Sequence, residues 1–387
     1  MSASTSCKDR AAALLAAARR GVLPRADEIR DIGENCPGDF FRDTIEPLGD
    51  SFDPAQAAAY EQILRAWVPG QAAVTPSIPD NVDTVYVLSR VTLGADIKIV
   101  SPVLDAMKQR FAGARVVFVA NRKSGELFAA DSGIEHLEAD YPRSGPVSAR
   151  IRWARELAPK LTGGNSIVVD PDSRITQLGL VPVGPPERSF HFSSRCVGGE
   201  TANLSDLVRG WLRETFGVDG RSYIAPRVEE AAGPRPVAAV SLGVGENEKK
   251  RVGGDFEARL IGEIGARFST VWVDRGAGGG EARRVTAAVE ASGAAERVRF
   301  WEGGFAGFAS IISQSELYVG YDSAGQHAAA AAGVPLVTVF AGAPSERFRR
   351  RWAAAGNAGT IQILADGLTP DEILRRFVTQ FQKTKLK

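Results

Sequence analysis

The residues best suited to binding a phosphorylated ligand cluster in one stretch near the C-terminus. They follow an apolar run of strand type, Leu317–Tyr321, and precede the alanine-rich run 328–332, which favours a helix. This turn contains four candidate binding residues: Asp322, Ser323, Gly325 and His327. A turn between a strand end and a helix start offers unpaired N–H groups that attract anions. The stretch therefore predicts the floor of a nucleotide-sugar pocket.

A second candidate phosphate site follows the apolar run 237–242. Gly243 and Gly245 free backbone N–H groups there, and Lys250 and Arg251 bring positive charge close to them. The turn has neither the Gly-Lys-Ser/Thr ending of a Walker A loop nor the third glycine of a dinucleotide fingerprint. It indicates a diphosphate site or, with equal weight, a basic surface turn.

Glu281 begins a predicted helix after the glycine-rich turn 276–280. A carboxylate at this position can accept hydrogen bonds from a ribose or sugar hydroxyl, or it can simply complement the helix dipole. Asp322 and Ser323 have a similar alternative as helix caps, and His327 as a partner in a local hydrogen bond. The turn 276–280 is itself either a phosphate loop or a flexible surface loop.

Asp96 is the candidate general base. It lies in the first strand-to-helix turn of the preceding half, where a carboxylate can take a proton from an attacking hydroxyl. The alternative is an acidic residue that only complements a helix N-terminus. Asp170-Pro171-Asp172 spells a DxD pattern that can hold a divalent cation. Because no further carboxylate is close in sequence, a turn is the preferred interpretation, and we expect no required metal.

Composition excludes several classes of protein. The chain has 387 residues, 44% hydrophobic and 24% charged, with a formal net charge of +1. It is long enough for two domains and an additional segment, and its charge does not favour nucleic acid. Three scattered cysteines, Cys7, Cys36 and Cys196, predict neither a disulfide framework nor a zinc site. With no signal-peptide core and no apolar run of about 18 residues, we expect a cytoplasmic protein.

Strand-type and helical runs alternate in two successive series. This alternation predicts an α/β fold with two Rossmann-like, doubly wound domains facing a cleft. The predicted strands lie at 85–88, 114–120, 134–137, 166–170, 237–242, 270–274, 298–301, 317–321 and 334–340. The predicted helices between and after them lie at 102–111, 124–130, 147–161, 204–216, 256–268, 281–292, 305–313, 328–332 and 370–382.

The first 78 residues lie outside this alternation. Helical spacing predicts helices at 9–20 and 53–67, separated by a turn at 35–38. The segment is either a helical cap on the first sheet, which we favour, or a module for oligomerisation or acceptor docking. The predicted domains are therefore a helical extension (1–78), a first Rossmann-like domain (79–228) and a second one with a closing helix (229–387). Proline-rich linkers are predicted at 68–79 and 224–236.

The motifs together resemble those of glycosyltransferase family 9, the ADP-heptose heptosyltransferases of lipopolysaccharide assembly. Residues 322–340 resemble the family pattern D-T/S-G-x-x-H-x-A-A-A-x-G-x-P, with Ala324 in place of the first glycine. Residues 243–252 are similar to G-x-G-x-x-x-x-K-R-W, with Val252 in place of tryptophan. Gly94-Ala95-Asp96-Ile97 and Pro102 resemble a G-D-(I/V)-(L/V)…P signature with one inserted residue.

This resemblance covers the chain from about residue 82 and implies a two-domain GT-B fold. It implies an inverting, metal-independent transfer of a sugar from a nucleotide-diphosphate sugar such as ADP-heptose to an acceptor hydroxyl. Asp96 would be the base, Lys250 would contact the donor phosphate, and Glu281 would contact the donor sugar or ribose. The turn 322–327 would line the diphosphate and nucleoside site. The donor is a co-substrate, and no cofactor is expected.

Two other functions remain open from the sequence. One is a non-catalytic GT-B-like protein that binds a nucleotide sugar or acts as a scaffold, with the N-terminal helices recruiting a partner or a second copy. The altered turns at Ala95 and Ala324 favour that alternative. The other is a sugar-nucleotide epimerase on the same frame. For the transferase, the acceptor is a hydroxyl-bearing glycan, protein or small molecule.

Overall fold

Two parallel β-sheets organise the chain in the computed structural model, which describes residues 6–68, 70, 74–228, 232–245, 247–276, 278–356 and 359–383. The predicted linkers 68–79 and 224–236 fall partly outside these residues, as does Ala277 of the glycine-rich turn. Within them, none of the helices combines the length and apolar character needed to cross a membrane.

Residues 6–68 form a helical N-terminal segment. Its elements are α1 (Cys7–Arg19), α2 (Ala26–Asn35), α3 (Pro37–Phe40), a π-helical turn (Phe41–Ile45), α4 (Glu46–Gly49) and α5 (Pro54–Arg65). Helix α5 begins where the Asp53 carboxylate accepts hydrogen bonds from the backbone N–H groups that follow it. The predicted turn at 35–38 is wrong for Pro37 and Gly38. They begin α3, since proline is tolerated in the first helical turn.

The N-terminal half contains the first sheet. In chain order its elements are β1 (Thr84–Leu88), α6 (Leu93–Ala95), a π-helical turn (Asp96–Val100), α7 (Ser101–Arg110), β2 (Arg115–Ala120), α8 (Arg122–Gly125), β3 (Glu135–Glu138), α9 (Val147–Leu157), β4 (Ser166–Asp170), β5 (Ser189–His191) and α10 (Leu204–Phe216). The strand order is β3-β2-β1-β4-β5, all parallel. Strands β1 and β4 are rich in valine and buried on both faces, as parallel strands covered by crossover helices must be.

The C-terminal half contains the second sheet. Its elements are β6 (Val237–Ser241), α11 (Phe256–Gly265), β7 (Thr270–Asp274), α12 (Gly279–Ala291), β8 (Val298–Trp301), α13 (Phe305–Ser313), β9 (Leu317–Tyr321), α14 (Ala324–Ala331), β10 (Leu336–Phe340), α15 (Glu346–Trp352), β11 (Thr360–Leu364) and α16 (Pro370–Lys383). The strand order is β11-β10-β9-β6-β7-β8, again all parallel. The predicted α/β class with two doubly wound sheets is confirmed.

The order of strands reverses between β1 and β4 in the first sheet and between β6 and β9 in the second. In open α/β sheets, ligands bind outside the carboxyl ends of the strands at such switch points. The turns that follow β6 and β9 are those predicted from sequence at 243–251 and 322–327. Both predicted turns therefore lie at one edge of one sheet.

The cysteine prediction is wrong in one respect. Cys7 and Cys36 form a disulfide with a Cα–Cα distance of 5.3 Å, while Cys196 is free and exposed. The two residues are 29 positions apart, so spacing gave no signal. The fold brings them together because α1 packs against α2 and α3. The bond links the start of α1 to the residue between α2 and α3.

Candidate functional site

Lys250 and Asp322 join the two predicted turns of the C-terminal half. Lys250 Nζ lies 2.7 Å from Asp322 Oδ2, and Asp322 is buried. The other carboxylate oxygen accepts a hydrogen bond of 2.5 Å from Gln326 Nε2, and Gln326 Oε1 accepts one from Thr338. Sequence reasoning missed Gln326, which fixes the orientation of Asp322. A glutamine one helical turn after an aspartate was the available signal.

Glu281 is the third predicted residue that the fold brings to this edge. A Cβ on Gly276 would lie 2.5 Å from Glu281 Cδ, and a Cβ on Gly243 would collide with Glu281 Oε1. The two glycines therefore let the Glu281 carboxylate lie directly against the backbone of both turns. Gly245 has φ +62°, a conformation that favours glycine, with open space around it.

Arg251 lies in the same turn but is committed to protein contacts. It forms ion pairs with Glu248 and with Glu257, whose carboxylate also accepts a hydrogen bond of 3.1 Å from Tyr321. Because Glu257 is buried, this cluster ties the turn to α11 and β9. The geometry gives Arg251 the role of holding the turn.

Ser323 and Gly325 begin α14, which starts four residues earlier than predicted. Ser323 is the N-cap residue, but its side chain makes no capping hydrogen bond. A Cβ on Gly325 would collide with the phenol of Tyr318, which lies beneath the start of the helix. Gly325 is therefore required for packing, whatever ligand the turn binds.

His327 lies on α14 at the contact with the N-terminal half. It is buried, and its ring centroid is 6.1 Å from that of Trp352. A Cβ on Gly94 would lie 3.1 Å from His327 Cδ2. Burial and the nearby charges of Lys98 and Lys250 lower the pKa of His327 well below its ordinary value, so the imidazole is neutral. It can serve a phosphate only as a neutral N–H donor.

Asp96 is completely buried below the turn that follows β1. Its carboxylate accepts hydrogen bonds from Ser89 Oγ at 2.8 Å, from the backbone N–H of Arg90 at 2.7 Å and from Ser124 Oγ at 2.6 Å. Burial raises the pKa of Asp96 to about 6 against these donors. The carboxylate therefore organises the turn after β1, and its oxygens point at protein groups.

The DxD pattern ends β4 with both carboxylates engaged. Asp170 accepts hydrogen bonds from Ser173 and Thr176 and contacts His191 Nδ1 at 3.2 Å. Asp172 accepts one from Arg195 at 2.7 Å. Within the described ranges, no group of three or more His, Cys, Asp or Glu side chains is arranged to hold a metal ion.

Lys98 is a buried cation that sequence reasoning missed. Its Nζ donates to Asn203 Oδ1 at 2.8 Å, to Ser205 Oγ at 3.2 Å and to the carbonyl of Ala353 at 2.7 Å. The last contact crosses from the N-terminal to the C-terminal half. Burial lowers the pKa of Lys98 to about 7. The available signal was a single charge within the apolar run 97–100.

A cavity of about 1130 Å³, the cleft cavity, lies beside these turns. One wall is formed by the C-terminal half, through Asn247 and Lys249 and through the loop and helix 342–350. The opposite wall is formed by the N-terminal segment, through α4, α5 and the turn between them. The volume is larger than that of a typical small-ligand pocket, so it has room for more than one sugar unit.

The arrangement can be compared with known proteins. No protein-family model and no curated protein matches this sequence. A family 9 glycosyl transferase from Veillonella parvula superposes over 79% of this chain and 98% of its own, with 14% identity and a TM-score of 0.55. The E. coli heptosyltransferase WaaC with ADP covers 77% of this chain and 99% of its own, with 16% identity and a TM-score of 0.56. E. coli ADP-heptose LPS heptosyltransferase II superposes over 77% of this chain and 99% of its own, with 18% identity and a TM-score of 0.52.

The fold is the GT-B fold. The predicted resemblance to family 9 is confirmed at the level of three-dimensional structure. In this fold, five of the predicted donor-site residues meet at the carboxyl edge of the second sheet: Gly243, Gly245, Lys250, Glu281 and Asp322. Asp96 and His327 lie at the contact between the two halves.

Proposed function

We propose that this protein is a glycosyltransferase that moves a sugar from a nucleotide-diphosphate sugar to an acceptor hydroxyl. One observation carries the proposal. At the switch point of the second sheet, between β6 and β9, the side chains of Lys250, Asp322 and Glu281 lie together beside glycine-containing turns. The GT-B fold supports it, since solved structures of this fold include family 9 transferases and one of them holds ADP.

The diphosphate of the donor would bind at the turns after β6 and β9. Lys250 would exchange part of its contact with Asp322 for the donor phosphate, and backbone N–H groups of the turn at Gly243 and Gly245 would add hydrogen bonds. Glu281 would accept a hydroxyl of the ribose or sugar. These groups stabilise the negative charge that develops on the leaving diphosphate, so the proposal includes a metal-independent transfer.

The base and the stereochemistry are further parts of the proposal. Asp96 is the base that the family resemblance implies, and the transfer would invert the anomeric centre. Because the Asp96 oxygens are buried and bonded to Ser89, Arg90 and Ser124, this role requires the turn after β1 to open toward the acceptor. An ADP-linked heptose is the first donor to test, given the neighbouring structures.

The first test is a thermal-shift panel with ADP-heptose, ADP-glucose, UDP-glucose and GDP-mannose. A donor present at 100 times its Kd raises stability by about 2.7 kcal/mol. Release of nucleoside diphosphate is then measured with p-nitrophenyl glycosides as acceptors. Lys250→Ala is expected to lower kcat/KM about 100-fold, the scale of one electrostatic contact to a developing charge.

Lys108→Ala is the matched control, because Lys108 pairs with Asp131 at 2.5 Å on a surface away from the turns. It is expected to retain activity. Activity in the presence of EDTA and an inverted product by NMR would support the finer parts of the proposal. A rise in stability without turnover would favour the non-catalytic alternative, and conversion of donor without acceptor would favour the epimerase.

A further inference from the structure

The N-terminal segment brings its own carboxylate to the cleft cavity. Asp50, in the turn after α4, lines the cavity together with Gln56 of α5. Asn247 and Lys249 line it from the C-terminal half, next to the predicted phosphate ligand Lys250. The cavity therefore lies between the N-terminal segment and one of the proposed donor turns.

Most charges around the cavity are already satisfied by protein partners. Glu46 accepts a hydrogen bond of 3.0 Å from Arg174, and Glu346 accepts one of 2.7 Å from Arg350. Asp50 differs, because its carboxylate has no hydrogen-bond donor among the described residues. Because most of the other charged side chains are paired, the cavity is nearly neutral, and its polar groups suit an uncharged ligand.

Gln56 adds a second acceptor without a partner. Its Oε1 makes no hydrogen bond within the described part of the chain. A ligand that satisfies Asp50 and Gln56 must therefore bring hydrogen-bond donors. Hydroxyl groups are such donors, and a polyhydroxylated ligand supplies several of them at once. The chemistry of the cavity favours a saccharide.

The backbone around Asp50 is held in place from both halves. Phe52 has φ +51°, an uncommon conformation for a bulky residue. Its carbonyl accepts a hydrogen bond of 3.0 Å from Arg347, and its ring lies 6.5 Å from that of Trp352. Strained residues persist where the surrounding structure fixes them, and they cluster at functional sites. The turn 50–53 is fixed against α15 of the C-terminal half.

The electrostatic surroundings of Asp50 suit a base. Burial raises the pKa of Asp50, and Glu46 acts in the same direction. The charges of Arg174, Arg195 and Lys250 act in the opposite direction. A carboxylate of raised pKa accepts a proton more readily than an ordinary one, as a general base must.

We propose that the cleft cavity binds a saccharide acceptor and that Asp50 takes the proton from the attacking hydroxyl of this acceptor. This inference rests on the proposed function. The acceptor oxygen forms a bond to the anomeric carbon as its proton passes to Asp50. The bond between the anomeric carbon and the diphosphate oxygen breaks, and its electron pair leaves with the nucleoside diphosphate. This assignment replaces Asp96 as the proposed base, because Asp50 needs no opening of the turn after β1.

The test compares Asp50→Asn with Asp96→Asn in the full chain. Asp50→Asn is expected to lower kcat about 100-fold or more, the scale for loss of a general base. The Kd of the nucleoside diphosphate should change less than twofold. The rise of kcat/KM with pH on the acid side should disappear in Asp50→Asn, and Asp50→Glu should restore part of the activity.

Asp31→Asn is the matched control, because Asp31 is a carboxylate of the same segment that pairs with Arg10, and neither residue lines the cleft cavity. It should keep wild-type kinetics. Wild-type kcat in Asp50→Asn, or an acid limb lost only in Asp96→Asn, would assign the proton transfer to Asp96 and overturn the proposal.

A second readout separates this proposal from the proposed function. Binding of p-nitrophenyl glycosides is measured by calorimetry in the wild type, Asp50→Ala and Gln56→Ala. We expect a loss of at least fivefold in affinity in each of these two variants and none in Asp31→Asn. If the wild type turns over no donor but shows this pattern, the transferase proposal fails while the saccharide site stands. Equal affinities in all four proteins would overturn the site itself.

Discussion

Complete burial and three hydrogen-bond donors define the chemistry that is available to Asp96. Ser89, Arg90 and Ser124 all donate to its carboxylate, yet burial still raises its pKa to about 6. The folded protein therefore holds a proton on Asp96 at a pH where the unfolded chain, with a pKa near 3.8, has lost it. Folding and ionisation of this one residue are linked.

The first prediction concerns the pH dependence of stability. Because the folded pKa is the higher one, the stabilising effect is complete below about pH 4 and is lost as the pH rises through about 6. A shift of this size corresponds to about 3 kcal/mol. Asp96→Asn cannot ionise, so the free energy of unfolding of the wild type should fall by about that amount more than that of the variant between pH 4 and pH 7. Urea denaturation at the two pH values measures the difference.

Asp274→Asn is a useful comparison, since burial raises the pKa of Asp274 as well but Asp274 is partly exposed. The difference between the wild type and Asp274→Asn in the pH dependence of the free energy of unfolding should therefore be smaller. Parallel pH profiles of the wild type and Asp96→Asn would show that Asp96 is ionised at all these pH values, and would remove the argument that its proton is retained on folding.

At the scale of elements, what the sequence could predict depends on how local the signal is. Strands β4 and β7 and helix α10 have the predicted bounds, because apolar runs and capping residues lie within each element. Strand β5 was missed because it has only three residues, and α15 because its run of arginines is not periodic. The turns after β6 and β9 were identified from their glycines and charges. Their pairing through Lys250 and Asp322 needed the sheet order.

Lys98 gives an example of a contact between elements that no local pattern encodes. It lies in the π-helical turn Asp96–Val100 and donates to α10 and to the end of α15. Its three acceptors come from parts of the chain far away in sequence. An isolated charge in an apolar run indicates burial with a partner, but it does not say which partner.

The second prediction tests this contact. Lys98→Met keeps the volume but leaves Asn203, Ser205 and the carbonyl of Ala353 without their donor, so we expect a loss of about 2 kcal/mol at pH 7. The folded pKa of about 7 lies below the unfolded value of 10.5, so the wild type gains stability as the pH rises above 7. The loss in the variant should therefore be about 2 kcal/mol larger at pH 9 than at pH 7.

Chemical denaturation at both pH values gives these differences, with Lys160→Met as the control. Lys160 is exposed, and its replacement should change stability by less than about 0.5 kcal/mol at either pH. A loss in Lys98→Met that is the same at pH 7 and pH 9 would mean that Lys98 stays charged throughout this range.

At the scale of the whole molecule, the N-terminal segment connects all parts of the chain. Glu34 accepts hydrogen bonds from Trp67 within the segment and from Ser148 at the start of α9 in the N-terminal half. Phe52 contacts α15 in the C-terminal half. The sequence predicted a helical cap on the first sheet. It could not predict that the same helices form a wall of the cleft cavity, because that wall depends on contacts with residues several hundred positions away.

The Cys7–Cys36 disulfide therefore has consequences beyond the segment that contains it. Disulfides persist in oxidising compartments and are rare in the cytosol, so this bond does not fit the cytoplasmic location expected from the sequence. A bond that closes a loop across 29 positions restricts the unfolded chain and stabilises the fold by about 3.6 kcal/mol in the chain-entropy model. That stabilisation acts on α1 to α3, which support the turn that carries Asp50.

The last prediction follows from this connection. Replacing both cysteines (C7S and C36S together) should lower the free energy of unfolding by about 3.6 kcal/mol and weaken saccharide binding more than nucleotide binding. The saccharide site has a wall in the N-terminal segment, whereas the proposed donor turns lie wholly in the C-terminal half. Cys196→Ser, which removes only the free thiol, is the control, and urea denaturation and calorimetry with both ligands give the measurements. An equal loss of affinity for both ligands would show that the bond stabilises the molecule as a unit, without a specific effect on the cavity wall.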